Sequence, residues 1–216
     1  MFRKNIAFYY LWITRKSLAF WCEMARTKQF EVENVLDAAV GLFWKQGYHA
    51  TSANDLVAHL GVSRSSLYDT FGDKRNLYIR ALHQYRKRII GKQLYLIETS
   101  SDLKETLEAI FSLMIEQDID DFHPRGCMLV NAATEMAAVD EDVAAIVRGN
   151  QWDLQKAWEM AIKKAQYQNN LRTDLDPKAT AAAIYNALIG IRVALKTEQE
   201  QETLDAIVSQ TLRLLD

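Results

Sequence analysis

Two prolines, Pro124 and Pro177, and eight glycines are all that punctuate 216 residues. A chain so poor in breakers has little to stop a helix once it has started. No run shows the β-branched alternation that a half-buried strand requires. The fold class this implies is all-α. With 49% hydrophobic and 25% charged residues, the chain has apolar side chains enough for one large or two small domains. No apolar run approaches the roughly 20 residues of a membrane span. Cys22 and Cys127 are the two cysteines; so few, so far apart, form neither a disulfide framework nor a zinc pattern and fit a reducing cytoplasm.

Helical spacing organises the first third. Val32, Val35, Leu36, Ala39, Leu42 and Phe43 share one face of a helix expected over about 30–46, which Gly47 ends. A second helix begins at Thr51/Ser52, where Ser52 and Asp55 form a pair like a capping box. Leu56, Val57 and Leu60 point inward. Gly61 makes a left-handed turn and Val62 fills the corner. Ser63 caps a short third helix that buries Leu67 and Phe71, and Asp73 caps a fourth carrying Leu77, Ala81 and Leu82. Helix, glycine turn, short helix is the helix-turn-helix pattern.

The outward residues of the third helix suit the major groove, which is about 12 Å wide. Small hydroxyls at Ser65 and Ser66 let the backbone approach the duplex. Arg64 has the reach for a guanine or a phosphate, Tyr68 turns its hydroxyl outward, and Lys74 adds an ammonium to the free amides at a helix start. With Thr51, Ser52 and Ser63 these make up the expected DNA contacts. Charge agrees. Residues 24–90 hold 10 Lys and Arg against 6 Asp and Glu, whereas residues 91–216 hold 12 against 21. A basic front on an acidic body meets a polyanion with its front.

At these residues the chain resembles the tetracycline-repressor (TetR) family of bacterial regulators. The family pattern, roughly T-x-x-x-I-A-x-x-A-G-V-S-x-x-x-L-Y-x-x-F-x-x-K-x-x-L, is met without a gap by "SANDLVAHLGVSRSSLYDTFGDKRNL" from Ser52 to Leu77. The match includes Gly61, Val62, Ser63, Leu67, Tyr68, Phe71, Lys74 and Leu77. Ser52 stands for Thr, and Val57 and Leu60 for Ala. Asp69 is a departure, because a carboxylate there repels phosphate unless it points away. The resemblance implies a DNA-binding domain over 24–90 and a helical regulatory and dimerisation domain over 91–216. It also implies a repressor released from a double-stranded operator by a small-molecule effector, and a homodimer through the last two long helices. "ATAAAIYNALIGIRVAL" suits such a seam, with small residues for close approach and Ile184, Leu188, Ile191 and Leu195 for apolar area.

The effector's site is less defined. Phe111, Met114, Met128, Trp152, Trp158 and Tyr185 are candidate lining for a reversible apolar ligand, and each is equally a core residue. "RGCMLVNAATE" offers another sensor. Cys127 follows Gly126 at a helix start beside Arg125, a setting that favours the thiolate. This run resembles the cysteine-sensing repressors of the same family, which also carry a lysine at the place of Lys196, where it would lie near the thiol. Oxidation or alkylation of Cys127 is therefore the alternative switch; simple packing is the third reading.

Asp118, Asp120, Asp121 and His123 match no tetrahedral metal spacing and read as a solvated acidic loop, so no metal or cofactor is expected. His49, His59 and His83 read as surface residues. Residues 1–23, "MFRKNIAFYYLWITRKSLAFWCE", are aromatic-rich, with an eight-residue apolar run from Ile6 to Ile13 cut off by Arg15 and Lys16. Either Met24 is the true start and the segment is dispensable, or it is an extra contact element for DNA or a membrane surface. A phosphate-binding glycine loop and a nucleophile motif are both missing, which argues against an enzyme. A DNA-independent helical adaptor for membranes or partners is the remaining class.

Overall fold

The computed structural model describes residues 32–119, 125–197 and 200–216. The 1–23 segment and the acidic loop at 120–124 lie outside the described residues, as do the side chains of 117–119. Every regular element among the described residues is helical. Helix α1 is described over 32–46. It is followed by α2 (Ala53–Leu60), α3 (Arg64–Phe71) and α4 (Lys74–Tyr85). A π-helical turn (Arg86–Ile90) then runs on into α5 (Gly91–Glu98). The body adds α6 (Leu103–Ile119), α7 (Met128–Glu135), α8 (Glu141–Tyr167), α9 (Pro177–Ala194), α10 (Gln201–Leu212) and a closing 3-10 turn (Arg213–Leu215).

Capping chemistry sets the boundaries. Ser52 accepts from the Asp55 amide while Asp55 accepts from the Ser52 amide, a reciprocal box. Gly61 closes α2 at φ 65°, which L side chains rarely adopt. Ser63, Asp73, Asp140 and Asp176 cap α3, α4, α8 and α9, with Pro177 in the first turn of α9.

The core is continuous from head to body. Leu56, Leu67, Phe71, Leu77, Ala81 and Leu82 are buried in the head, and Leu107, Ile110, Phe111, Met128, Trp158 and Ile191 in the body, all in one cluster. Helices α8 and α9 form the most extensive pairing, α7 lies across α8 and α4, and α10 packs on α6 and α9. The domain boundary expected near residue 90 falls inside the helical run that carries α4 through the π turn into α5, so continuous helix joins head and body there. Among the described residues, no helix is long and apolar enough to cross a membrane.

Candidate nucleic-acid interface and ligand cavity

At the head, α3 presents Arg64, Ser65 and Ser66 fully to solvent and keeps Leu67 and Phe71 beneath. The Ser63 hydroxyl accepts from the Ser66 amide at 3.1 Å and stands 3.0 Å from the Ser65 hydroxyl, so three hydroxyls cluster at the helix start. Ser52 is exposed at the start of α2, and Tyr68 is half-buried. Asp69 is exposed beside the groove between α1 and α3. Lys74 begins α4 with its ammonium 4.3 Å from the centre of the Tyr48 ring, a cation–π contact that positions it. Burial lowers the Lys74 pKa, opposed by the charges of Glu135 and Asp55. His49, His59 and His83 are exposed.

Thr51 does not belong to this face. It is completely buried, and its hydroxyl donates to the Gly47 carbonyl at 2.7 Å. Its role is to tie the end of α1 to the start of α2. The basic front is likewise less available than composition suggests. Arg75 donates to Asp140 at 2.6 and 2.8 Å and to Asp142 at 2.7 Å. Arg86 pairs with Asp153, and Arg88 with Asp37. Arg75 and Arg86 thereby hold the head on its body, and Arg88 ties the π turn to α1. The hydrogen bond from Arg75 holds the Asp140 carboxyl below the usual carboxylate range.

The second site lies inside the body, a cavity of about 260 Å³. Residues from α6, α7, α8 and α9 line it, with Ile90 and Gln93 from the rod below. Met114 and Tyr185, two of the residues named as candidate lining, are there, and so is Cys127. The other sequence candidates are elsewhere. Phe111, Met128 and Trp158 are buried core. Trp152 is 66% exposed and lies on an outer groove against α5. Lys196 donates to the Asn131 side chain at 2.6 Å, outside the cavity lining. It also covers Gly126, where an added Cβ would come within 2.7 Å of the lysine chain and 2.9 Å of the Arg192 carbonyl. With φ at 63°, this is a position for glycine.

Cys127 is buried and opens α7 without capping it. Its sulfur accepts from the Tyr85 hydroxyl of α4 at 3.5 Å. Arg125 lies over the Trp44 ring at 4.5 Å. The lining residues that sequence reasoning missed include the polar pair Asn150 and Arg192, both over nine-tenths buried. A signal existed: Asn150 falls on the apolar stripe of α8 with Val143, Val147, Leu154 and Trp158.

One element touches both sites. Helix α7 lines the cavity through Leu129, Val130, Ala133 and Thr134. At its far end the Glu135 carboxylate accepts from the amides of Tyr48 and His49 at 2.8 and 2.6 Å, in the loop that leads from α1 to α2. A Cβ on Gly47, at φ 82°, would meet Glu135 at 2.8 Å. Before α7 starts, the Gly126 carbonyl accepts from the Trp44 indole of α1 at 3.0 Å.

A helix-turn-helix head on an all-helical body with its own cavity defines a DNA-binding transcription regulator. Family models agree: residues 35–81 match the bacterial regulatory proteins of the tetR family, and residues 104–211 the tetracyclin repressor-like C-terminal domain. The chain belongs to the tetracycline-repressor family, and it is a regulator rather than an enzyme. It is 29% identical over 194 residues to the HTH-type transcriptional regulator YezE of Bacillus subtilis, covering 89% of this chain and 100% of that one. It is 28% identical over 194 residues to the HTH-type transcriptional repressor ComR of Escherichia coli, covering 88% and 90%. Among solved structures, a cysteine mutant of the TetR family regulator CifR in complex with 26-base-pair operator DNA shares the fold. Its TM-score is 0.76 at 23% identity, over 85% of this chain and 96% of that one.

Proposed function

We propose that the chain is a cytoplasmic homodimeric repressor that leaves its operator when a small molecule enters the cavity between α7, α8 and α9. The observation that carries this is the double attachment of α7. One face of this helix lines the cavity, and its two ends hold α1 and the loop after it. A ligand that displaces α7 therefore acts on the head through Glu135 and the Gly126 carbonyl. In a dimer, two α3 helices meet successive major grooves about 34–36 Å apart. A small change in that spacing costs half of the contacts at once. The ligand and the DNA then oppose each other's binding by the same factor.

Ser52, Ser63, Arg64, Ser65, Ser66, Tyr68 and Lys74 form the DNA-contacting set in this reading, and Thr51 is left out. The dimer seam uses α9 and α10, but with other residues than the apolar ones named from the sequence. Ile184, Leu188, Ile191 and Leu195 are buried within the single chain. The outward stripe of α9 is Ala179, Ala183, Asn186, Gly190 and Val193, whose small side chains permit close helix contact.

A second reading keeps the thiol as the switch. It is supported by the position of Cys127 on the cavity and its hydrogen bond from Tyr85 of α4. Gel shifts with DNA from upstream of the gene and its neighbours, at several salt concentrations, test the whole scheme. Operator selection from a random library covers distant sites. Sequence-specific binding relieved by a reversible ligand is the expected result. Relief by a thiol oxidant that disappears in Cys127→Ser would favour the second reading, and no sequence selected from the library would reject both.

A further inference from the structure

The cavity has a chemical preference written in its lining. Most of that lining is aliphatic, with Met114, Leu129, Val147, Leu154, Leu188 and Ile189 around it. Asn150 stands among them at 5% exposure, and its side-chain carbonyl is buried with no protein partner. Its amide side is used, because Asn150 donates to the Tyr185 hydroxyl. Burial pushes the Tyr185 pKa up to about 12, a rise which that hydrogen bond partly offsets, so the phenol is neutral at any ordinary pH. A buried carbonyl left unpaired is a standing cost that an incoming donor removes. A carboxylate would instead set oxygen lone pairs against it. Arg192, also on the lining, has interactions within the protein, but its Nη1 makes no hydrogen bond, so a carboxylate probe is needed to test whether the guanidinium rather than Asn150 sets the preference.

We propose that this cavity takes an uncharged, largely apolar molecule with one hydroxyl or N–H group, which it donates to the Asn150 carbonyl. Size follows by proportion. A dry apolar cavity of about 150 Å³ accepts benzene, so about 260 Å³ corresponds to about ten non-hydrogen atoms, one substituted ring or a short branched chain. This assignment rests on the reading of the cavity as the effector site.

Three probes of similar size separate the possibilities: 4-propylphenol, propylbenzene and 4-methylbenzoate. Calorimetric titration into the full-length protein should give one site per chain for the phenol. Its affinity should exceed that of propylbenzene by about tenfold or more, the worth of one buried hydrogen bond, with the benzoate weakest. Asn150→Leu, close in volume and apolar, should bring phenol and propylbenzene within about twofold of each other. Equal binding of those two by the wild-type protein overturns the proposal without reliance on any variant. So does tightest binding of the benzoate, no binding of any probe, or a phenol preference that survives in a folded Asn150→Leu protein.

DNA affinity measured with each probe keeps the two readings apart. Release of DNA by both aromatics alike leaves the effector site standing and removes the donor preference. Phenol-selective binding that leaves DNA affinity unchanged supports the donor preference and removes the effector reading.

Discussion

In the proposed DNA-contacting set, Arg64 and Lys74 are expected to play different parts, set by where they stand. Arg64 is exposed on the second helix of the motif, with nothing between it and a groove. Lys74 sits at the start of the next helix and is steered by the Tyr48 ring. An arginine that reads a base loses discrimination when removed, and a lysine on a phosphate loses affinity evenly. Arg64→Ala is therefore expected to cost about 1–3 kcal/mol on the specific site with little change on random DNA. Lys74→Ala should weaken both and reduce the salt slope by about one unit. Fluorescence anisotropy at four or more salt concentrations measures both, and an equal loss on both DNAs for Arg64→Ala would refute base reading. Most of this face was legible beforehand, because caps, turn glycines and buried positions announce themselves within a few residues of sequence. Thr51 was not. Its hydroxyl looks like that of Ser52 next to it, and only the approach of the α1 terminus shows that it turns inward to the Gly47 carbonyl. Partners far along the chain, such as Asp140 for Arg75, are likewise invisible to local spacing.

At the scale of elements, the proposed coupling runs through α7. Helix α7 is short, and sequence alone gave it interest only at Cys127. Its opposite end matters as much. Glu135 lies 86 and 87 residues from the amides that it binds, and no local pattern encodes so distant a contact. Two hydrogen bonds to a carboxylate that approaches a glycine closely make a firm joint. Glu135→Ala is expected to lower stability by about 1–3 kcal/mol, and to reduce the response of DNA binding to a cavity ligand while the ligand still binds. Urea denaturation reads the first effect, and a paired titration of ligand and DNA the second. Undiminished coupling in a stable Glu135→Ala protein would place the path elsewhere, with the Tyr85–Cys127 contact next to be tried. The continuous rod from α4 to α5 makes the same point about boundaries. The boundary expected near residue 90 lies within a helical run, along which Tyr85, Ile90 and Ile97 are buried.

At the scale of the whole molecule, the interior is rich in phenols, and the proposed dimer would use the outer surface of α9 and α10. Tyr78, Tyr85 and Tyr185 are buried, and burial raises the pKa of each above its ordinary value of 10.0. Their folded-state values exceed the unfolded ones, so this contribution to stability is fully present below about pH 10 and is lost as pH rises beyond it. The slope should be about 1.4 kcal/mol per pH unit for each tyrosine, and Tyr85→Phe should remove one share. Tyrosinate absorbance followed beside circular dichroism checks this, since titration of all nine tyrosines in a folded chain near pH 10 would contradict it. Assembly is the last requirement. In the proposed dimer two reading helices act together, and the apolar residues that the sequence offers for its seam are packed inside the single chain. What remains outside on α9 is small. Gly190 has open space where a Cβ would stand, so Gly190→Arg meets no obstacle within one chain, and an exposed helical glycine replaced by arginine even favours the helix by up to about 1 kcal/mol. In a dimer that pairs α9 and α10 with their copies, the same arginine is driven into a close helix contact. The expected outcome is a folded monomer by light scattering, with helix content unchanged and operator affinity reduced by a hundredfold or so, the order lost when two half-sites no longer bind as one unit. A Gly190→Arg protein that remains dimeric and binds operator normally would move the seam off α9.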